Sequence, residues 1–136
     1  MRRLTIGELA RQAGVGVETV RYYELRGLLK KPTRKGRGFR VYPPEALGAL
    51  QLIRRAKGLG FSLKEIGALL RLQASGGDTP AAVGELLDAK LAELAARAQD
   101  LERTRCIVAE LLEATRLAAD GKGVLERVFL EERSSG

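Results

Sequence analysis

Histidine and tryptophan are absent from the 136 residues, and the chain has one cysteine and one methionine. Without His there is no ordinary general base to sit beside Cys106, which argues against nucleophilic catalysis of the Cys–His kind. One thiolate per chain builds neither an intrachain disulfide nor a tetrahedral N/S zinc site. No Gly-rich phosphate loop follows a strand pattern, so an enzyme is the weakest candidate class, and neither a cofactor nor a metal site is expected. No stretch approaches roughly 18 consecutive apolar residues, and the N-terminus lacks an apolar signal-like segment, so the expectation is a cytoplasmic, soluble protein with no membrane contact. Aromatics make up only 4% of the chain, leaving Leu and Ala to fill any core, which favours helix.

Acidic residues are scarce in the front half only. Residues 1–72 hold 16 Lys and Arg against 5 Asp and Glu, a balance of +11, whereas residues 73–136 hold 8 against 12, a balance of −4. Solubility alone would not segregate charge in this way. A nucleic-acid footprint would, because neutralising phosphates requires Lys and Arg to gather on one face.

The basic half opens with "LTIGELARQAGVGVETVRYYELRGLL" (4–29). Thr5 is placed to cap a helix, with Glu8 at capping-box spacing, and Ile6, Leu9, Ala10 and Ala13 form a helical apolar stripe. Gly14-Val15-Gly16 breaks that helix. A second stripe of Val17, Val20 and Leu25, with Tyr23 near it, restarts before Gly27. Two short helices joined by a glycine-bearing turn form a helix-turn-helix candidate, whose second helix presents Glu18, Thr19, Arg21, Tyr22 and Arg26 on its other side. A polar face is commonly just a solvated one. In a helix-turn-helix, however, the outer face of the second helix needs short polar groups for base edges and Arg, Lys or Tyr for phosphates, and these residues meet that need.

The segment that follows strengthens this reading. "KKPTRKGRGFRVY" (30–42) carries six basic residues and no acid, with Gly36 and Gly38 at a turn and an alternating Phe39-Arg40-Val41-Tyr42, the pattern of a basic hairpin or wing. Its Arg34, Lys35, Arg37 and Arg40 can reach flanking backbone or minor groove. Beyond Pro43-Pro44, a helical period from Glu45 to Leu59 carries Leu47, Leu50, Leu52, Ile53 and Ala56. Ser62 with Glu65 then caps a further helix, "SLKEIGALLRL".

"QASGGDTP" (73–80) reads as a linker in which Asp78 or Thr79 caps and Pro80 begins a helix. From there to about Ala119 there is no further Pro and one Gly, Gly84, so a helix of roughly 40 residues, on the order of 60 Å, is expected. Its apolar positions step by four and three: Leu87, Leu91, Leu94, Ala98, Leu101, then Arg105, Val108 and Leu112, a heptad seam with one polar interruption. No other segment of the chain matches that length, so the expected partner is a second copy; the pattern leaves the strand orientation open. Residues 120–136 read as a Gly-rich turn, a short amphipathic turn (Val124, Leu125, Val128, Phe129, Leu130) and a tail. The expected organisation is a DNA-binding domain (1–74), a dimerisation helix (79–119) and a C-terminal region (120–136).

The order of these motifs, from "LTIGELARQAGVGVETVRYYELRGLL" through the wing ending "GFRVY" and "LQLIRRAKGLGFSLKEIGALL" to the long helix, closely resembles the MerR family of bacterial transcription regulators over residues 4 to about 118. The resemblance implies a mainly α fold: a winged helix-turn-helix followed by a long dimerisation helix that forms an antiparallel coiled coil. It implies a homodimer on a near-palindromic promoter operator in double-stranded DNA, with RNA polymerase as a further partner. Activation in such a regulator comes from bending and untwisting DNA so that promoter elements realign. Carried over by motif, Arg21 and Tyr22 contact phosphate and base edge, Glu18 and Thr19 face the groove, Phe39, Arg40 and Tyr42 belong to the wing, and Arg54 and Lys57 touch DNA backbone. Tyr23, Leu28, Leu59 and Phe61 are core.

At the positions where metal-sensing relatives carry cysteines, this chain has Pro80, Thr115 and Val124. Cys106, near Arg103 and Arg105, is a candidate thiol sensor, although a lone Cys in an Ala/Leu-rich helix is more often a packing residue. Asp120, Glu126, Glu131 and Glu132 are a candidate hard-cation cluster, or simply a solvated acidic stretch. A rival from another class is an effector-independent DNA-architectural or phage-accessory protein, which an operator with defined half-site spacing would separate from a regulator.

Overall fold

The structure is a computed structural model, described here over residues 3–35, 39–118 and 121–130. Its elements run β1 (Leu4–Thr5), α1 (Ile6–Ala13), α2 (Val17–Leu25), β2 (Thr33–Lys35), β3 (Phe39–Tyr42), α3 (Glu45–Gly58), α4 (Leu63–Ser75), α5 (Pro80–Leu117) and a π-helical turn (Glu126–Leu130). The expected mainly helical architecture is present. Two compact units divide the chain, Met1–Leu87 and Asp88–Gly136, so the first two turns of α5 belong with the N-terminal unit rather than with the rest of their helix.

Both expected capping boxes form. The Glu8 amide donates to Thr5 Oγ1 and the Thr5 amide to Glu8 Oε1, each at 3.2 Å; the Ser62–Glu65 box closes with bonds of 3.1 and 2.8 Å. Each box satisfies backbone donors that the first helical turn leaves without an intrahelical partner. Of the two candidate caps of α5, it is Thr79 whose hydroxyl accepts from the Ala82 amide, at 3.2 Å. Gly14 ends α1 in the left-handed conformation at φ 72°.

The wing is more than a hairpin. Leu4–Thr5 adds a strand, giving a three-stranded antiparallel sheet of order β1-β3-β2 in which Leu4 lies opposite Tyr42 and Thr33 opposite Val41. A two-residue strand has no periodicity of its own, so the sequence offered no sign of β1; its partner supplies the reason for it.

The core of the N-terminal unit gathers Leu9, Ala10 and Ala13 of α1, Val20 and Tyr23 of α2, Tyr42 of β3, Leu50, Ile53 and Ala56 of α3, and Ile66 of α4. Phe61 is buried and Leu28 packs on the cluster, as expected. Two assignments change. Leu25 is 87% exposed, because it lies roughly 140° around the helix from Val20 and so leaves the apolar stripe; Leu29, after the positive-φ turn at Gly27, is the residue buried instead. Leu59 is exposed as well. It caps α3, Gly60 reverses the chain at φ 90°, and the Phe61 amide bonds back to the Ala56 carbonyl at 3.0 Å, which sends Phe61 inward and leaves Leu59 outside.

In the C-terminal unit, α5 continues to Leu117 and carries a short ladder of ion pairs. Lys90 and Arg97 both reach Glu93, at 2.9 and 2.8 Å, and Arg103 reaches Asp100 at 2.8 Å. Val128 of the π-helical turn is buried, whereas Leu125, Phe129 and Leu130 are exposed.

Candidate nucleic-acid interface

Helix α2 has two faces of different character. Val20 and Tyr23 hold it to the core, while Glu18, Arg21 and Tyr22 lie exposed on the opposite side and Arg26 follows at the C-cap. Thr19 sits at the boundary, half-buried. The Arg26 guanidinium carbon lies 5.9 Å from the centroid of the Tyr22 ring, and Tyr22 meets Tyr23 edge to face at 5.4 Å. Burial separates the two tyrosines: Tyr23 is 9% exposed and packs in the core, whereas Tyr22 is 48% exposed and points outward. Leu25 falls within the same outer arc, between the directions of Arg21 and Tyr22, a position that the apolar-stripe reading had assigned to the core.

Of the wing residues, Arg34 and Lys35 lie on β2, Phe39 and Arg40 on β3, and Arg37 falls outside the described residues, as do Gly36 and Gly38. Tyr42 is a correction. It is fully buried, and its hydroxyl donates to Glu24 Oε2 at 2.6 Å, so it joins the wing to α2 and has no surface to offer DNA. Alternation along the four-residue strand could not reveal this, because the same period describes a wing surface and a strand end turned into the core.

Arg54 and Lys57 are exposed on α3. Arg54 already has an internal partner, its Nη1 donating to the Ala13 carbonyl at 3.0 Å across the end of α1. A Cβ on Gly14 would stand 2.6 Å from that nitrogen, so glycine there serves both the left-handed turn and the approach of the arginine. Around Arg54, an open hollow of about 640 Å³ is lined by Gln12, Gln51 and Arg55 among others, a polar and cationic recess beside the helix-turn-helix.

Residues 4–73 match the family described as MerR HTH family regulatory protein, and residues 47–111 match the one described as MerR, DNA binding. The chain belongs to the MerR family. It is 38% identical over 112 residues to the HTH-type transcriptional regulator ZntR homolog of Haemophilus influenzae, covering 82% of this chain and 83% of that one. To the regulator HmrR of Rhizobium leguminosarum it is 32% identical over 133 residues, 98% of this chain and 99% of that one. Among solved structures it resembles the regulator PbrR691 of Ralstonia metallidurans in complex with lead(II), with a TM-score of 0.78, 31% identity and coverage of 92% and 98%. It also resembles HiNmlR, a MerR family regulator bound to promoter DNA, with a TM-score of 0.57, 25% identity and coverage of 96% and 98%. This MerR family chain is therefore a DNA-binding transcription regulator, and its relatives are transcription regulators rather than enzymes.

The expected seam of the MerR dimer helix lies open on the single chain. Leu87, Leu91, Leu94, Leu101, Val108 and Leu112 are large apolar residues left exposed, Leu91 at 66% and Leu101 at 70%, and Ala98 is exposed between them. Arg105, at the polar step of the seam, is held by a two-pronged bond to Glu102 at 2.8 and 3.0 Å. That bond lowers the Glu102 carboxyl below its ordinary pKa and raises the Arg105 guanidinium above its own. Cys106 is exposed, one residue past the seam, with its Sγ 3.7 Å from both Glu102 Oε1 and Arg105 Nη2. Its exposure on the single chain is shared with the seam residues Leu101 and Val108 on either side.

Among the described residues, no group of three or more His, Cys, Asp or Glu is placed to hold a metal ion, and no helix is long and apolar enough to cross a membrane. Of the acidic candidates, Asp120, Glu131 and Glu132 lie outside the described residues.

Proposed function

We propose that the protein acts as a cytoplasmic homodimer that binds one near-palindromic promoter operator and regulates transcription by bending and untwisting it, and that it has no enzymatic activity. The observation that carries the dimer is the row of exposed leucines on α5. Thirty-eight residues make a helix about 57 Å long, and a helix with an apolar seam unmatched in its own chain is stabilised by a partner of equal length, which a second copy supplies. In the family, that pairing is antiparallel and presents two helix-turn-helix units to one duplex.

In this reading, residues 1–74 are the DNA-binding domain, 79–119 the dimerisation helix, and 120–136 the effector-loop region. Glu18, Thr19, Arg21, Tyr22 and Arg26 face the major groove; Arg34, Lys35, Arg37, Phe39 and Arg40 form the wing's contact; Arg54 and Lys57 approach backbone phosphates. The segregated positive charge supports this placement, since it supplies the salt-dependent grip on which base reading is superimposed. Deformation of the spacer between promoter elements then brings them into register for RNA polymerase.

Selection-sequencing of random duplex DNA by the purified protein at physiological salt tests the proposal. The expected result is one enriched inverted repeat with a fixed half-site separation. Binding without any enriched sequence, decaying steeply with added salt, would reverse it in favour of an architectural role.

A further inference from the structure

Tyr42 was expected on the DNA surface and lies instead in the core, which raises the question of what its hydroxyl does there. We propose that the Tyr42–Glu24 hydrogen bond is a strut that fixes the wing relative to α2, so that both grip one duplex together; Tyr42 and Glu24 are then positioning residues for DNA binding.

The wing's central strand β3 is tied at one end to the start of α1 by pairing with β1, where Tyr42 lies opposite Leu4. Among the described residues, no backbone hydrogen bond joins α2, the helix bearing the proposed groove-facing side chains, to the sheet. The Tyr42 hydroxyl supplies a link across 18 residues of sequence, and its 2.6 Å distance to a carboxylate is that of a strong charge-assisted bond. The phenol is fully buried, so breaking the bond exposes its cost in a place where water does not readily replace the partner. Glu24 lies roughly 120° around α2 from Glu18 and roughly 160° from Tyr22, though only about 60° from Arg21. A carboxylate on a DNA-binding helix opposes phosphates, and one engaged by the wing's phenol is directed to a structural task. Phosphate contacts from the wing and base contacts from α2 add only if both are made at once, so a loosened wing loses its share of the phosphates while α2 still docks.

The inference rests on the wing touching DNA, and Arg40→Ala tests that part separately. The full-length protein is titrated with the inverted-repeat duplex it enriches and with a random duplex of equal length, across a range of salt concentrations. Tyr42→Phe is expected to weaken binding by about five- to tenfold at physiological salt and to flatten the dependence of log affinity on log salt by about 0.9 per lost phosphate. Glu24→Ala should match it, the double variant should be no worse than either single change, and Glu24→Gln, which keeps an accepting oxygen, should stay within about twofold of the parent. Thermal unfolding monitors the fold, and Glu24→Ala carries the test if Tyr42→Phe is too unstable to use. The strut is overturned if the variants lower thermal stability with an unchanged salt slope, or if their binding effects simply add. It is also overturned if Arg40→Ala flattens the slope while Tyr42→Phe does not. If neither does, the wing does not grip DNA and the strut falls with it.

Discussion

The N-terminal unit and the long helix carry apolar residues at comparable density but dispose of them in opposite ways. In the first, Leu9, Val20, Leu50, Ile53 and Ile66 are fully buried against one another, each supplied by a different turn of four short helices. In the second, leucines spaced by four and three residues remain largely open to solvent on the single chain, and the helix is held locally by exposed ion pairs such as Arg103–Asp100 that contribute little. Short helices joined by tight turns can fold back on themselves. A continuous 38-residue helix cannot fold back on itself, and a seam running along its length is stabilised by a partner of matching length.

Four substitutions sharpen or break that contrast. The largest effect is expected at the seam: Leu101→Asp places a charge among apolar side chains at the proposed dimer interface, costing about 3 kcal/mol or more. Sedimentation should find a monomer and operator binding should fall more than a hundredfold, with the N-terminal unit still folded; a stable dimer would mean that the seam is not the interface. In the other region, Ile53→Ala leaves a cavity in a closed core and should lower the unfolding free energy by about 2–5 kcal/mol in denaturant titrations. A cost below about 1 kcal/mol would place the core elsewhere. Arg21→Ala touches neither core nor seam. It should cost about 1–3 kcal/mol of operator binding while leaving the dimer and its melting temperature unchanged, and tight binding at physiological salt would remove Arg21 from the groove-facing set. Smallest is Thr5→Ala, which removes one half of the first capping box for about 1 kcal/mol of stability, read from the shift in thermal midpoint.

The contrast also explains which features were legible in the sequence. Capping boxes follow from two residues three apart, so Thr5–Glu8 and Ser62–Glu65 were readable and formed. Long-period patterns were equally clear: the extent of α5 came from the absence of breakers and its seam from the heptad. Legibility failed where a side chain's environment depends on a distant segment. Leu25 has the composition of a stripe residue but the angular position of an outer one, and Leu59, expected in the core beside Phe61, is left outside by the left-handed glycine between them. Tyr42 reads as wing surface until Glu24, 18 residues earlier, is seen beside it.

By itself, then, the sequence determined what short-range physics controls: the helices, their caps and breaks, the segregation of positive charge into the front half, and an apolar seam too long for its own chain. The tertiary structure decided what depends on meetings between segments. It made Leu4–Thr5 a strand by giving it β3 as a partner, brought Arg54 to the carbonyl at the end of α1, and turned the Tyr42 hydroxyl onto α2. A hydrogen bond across tens of residues has no periodicity to announce it, because its donor and acceptor are brought together by the packing of everything between them.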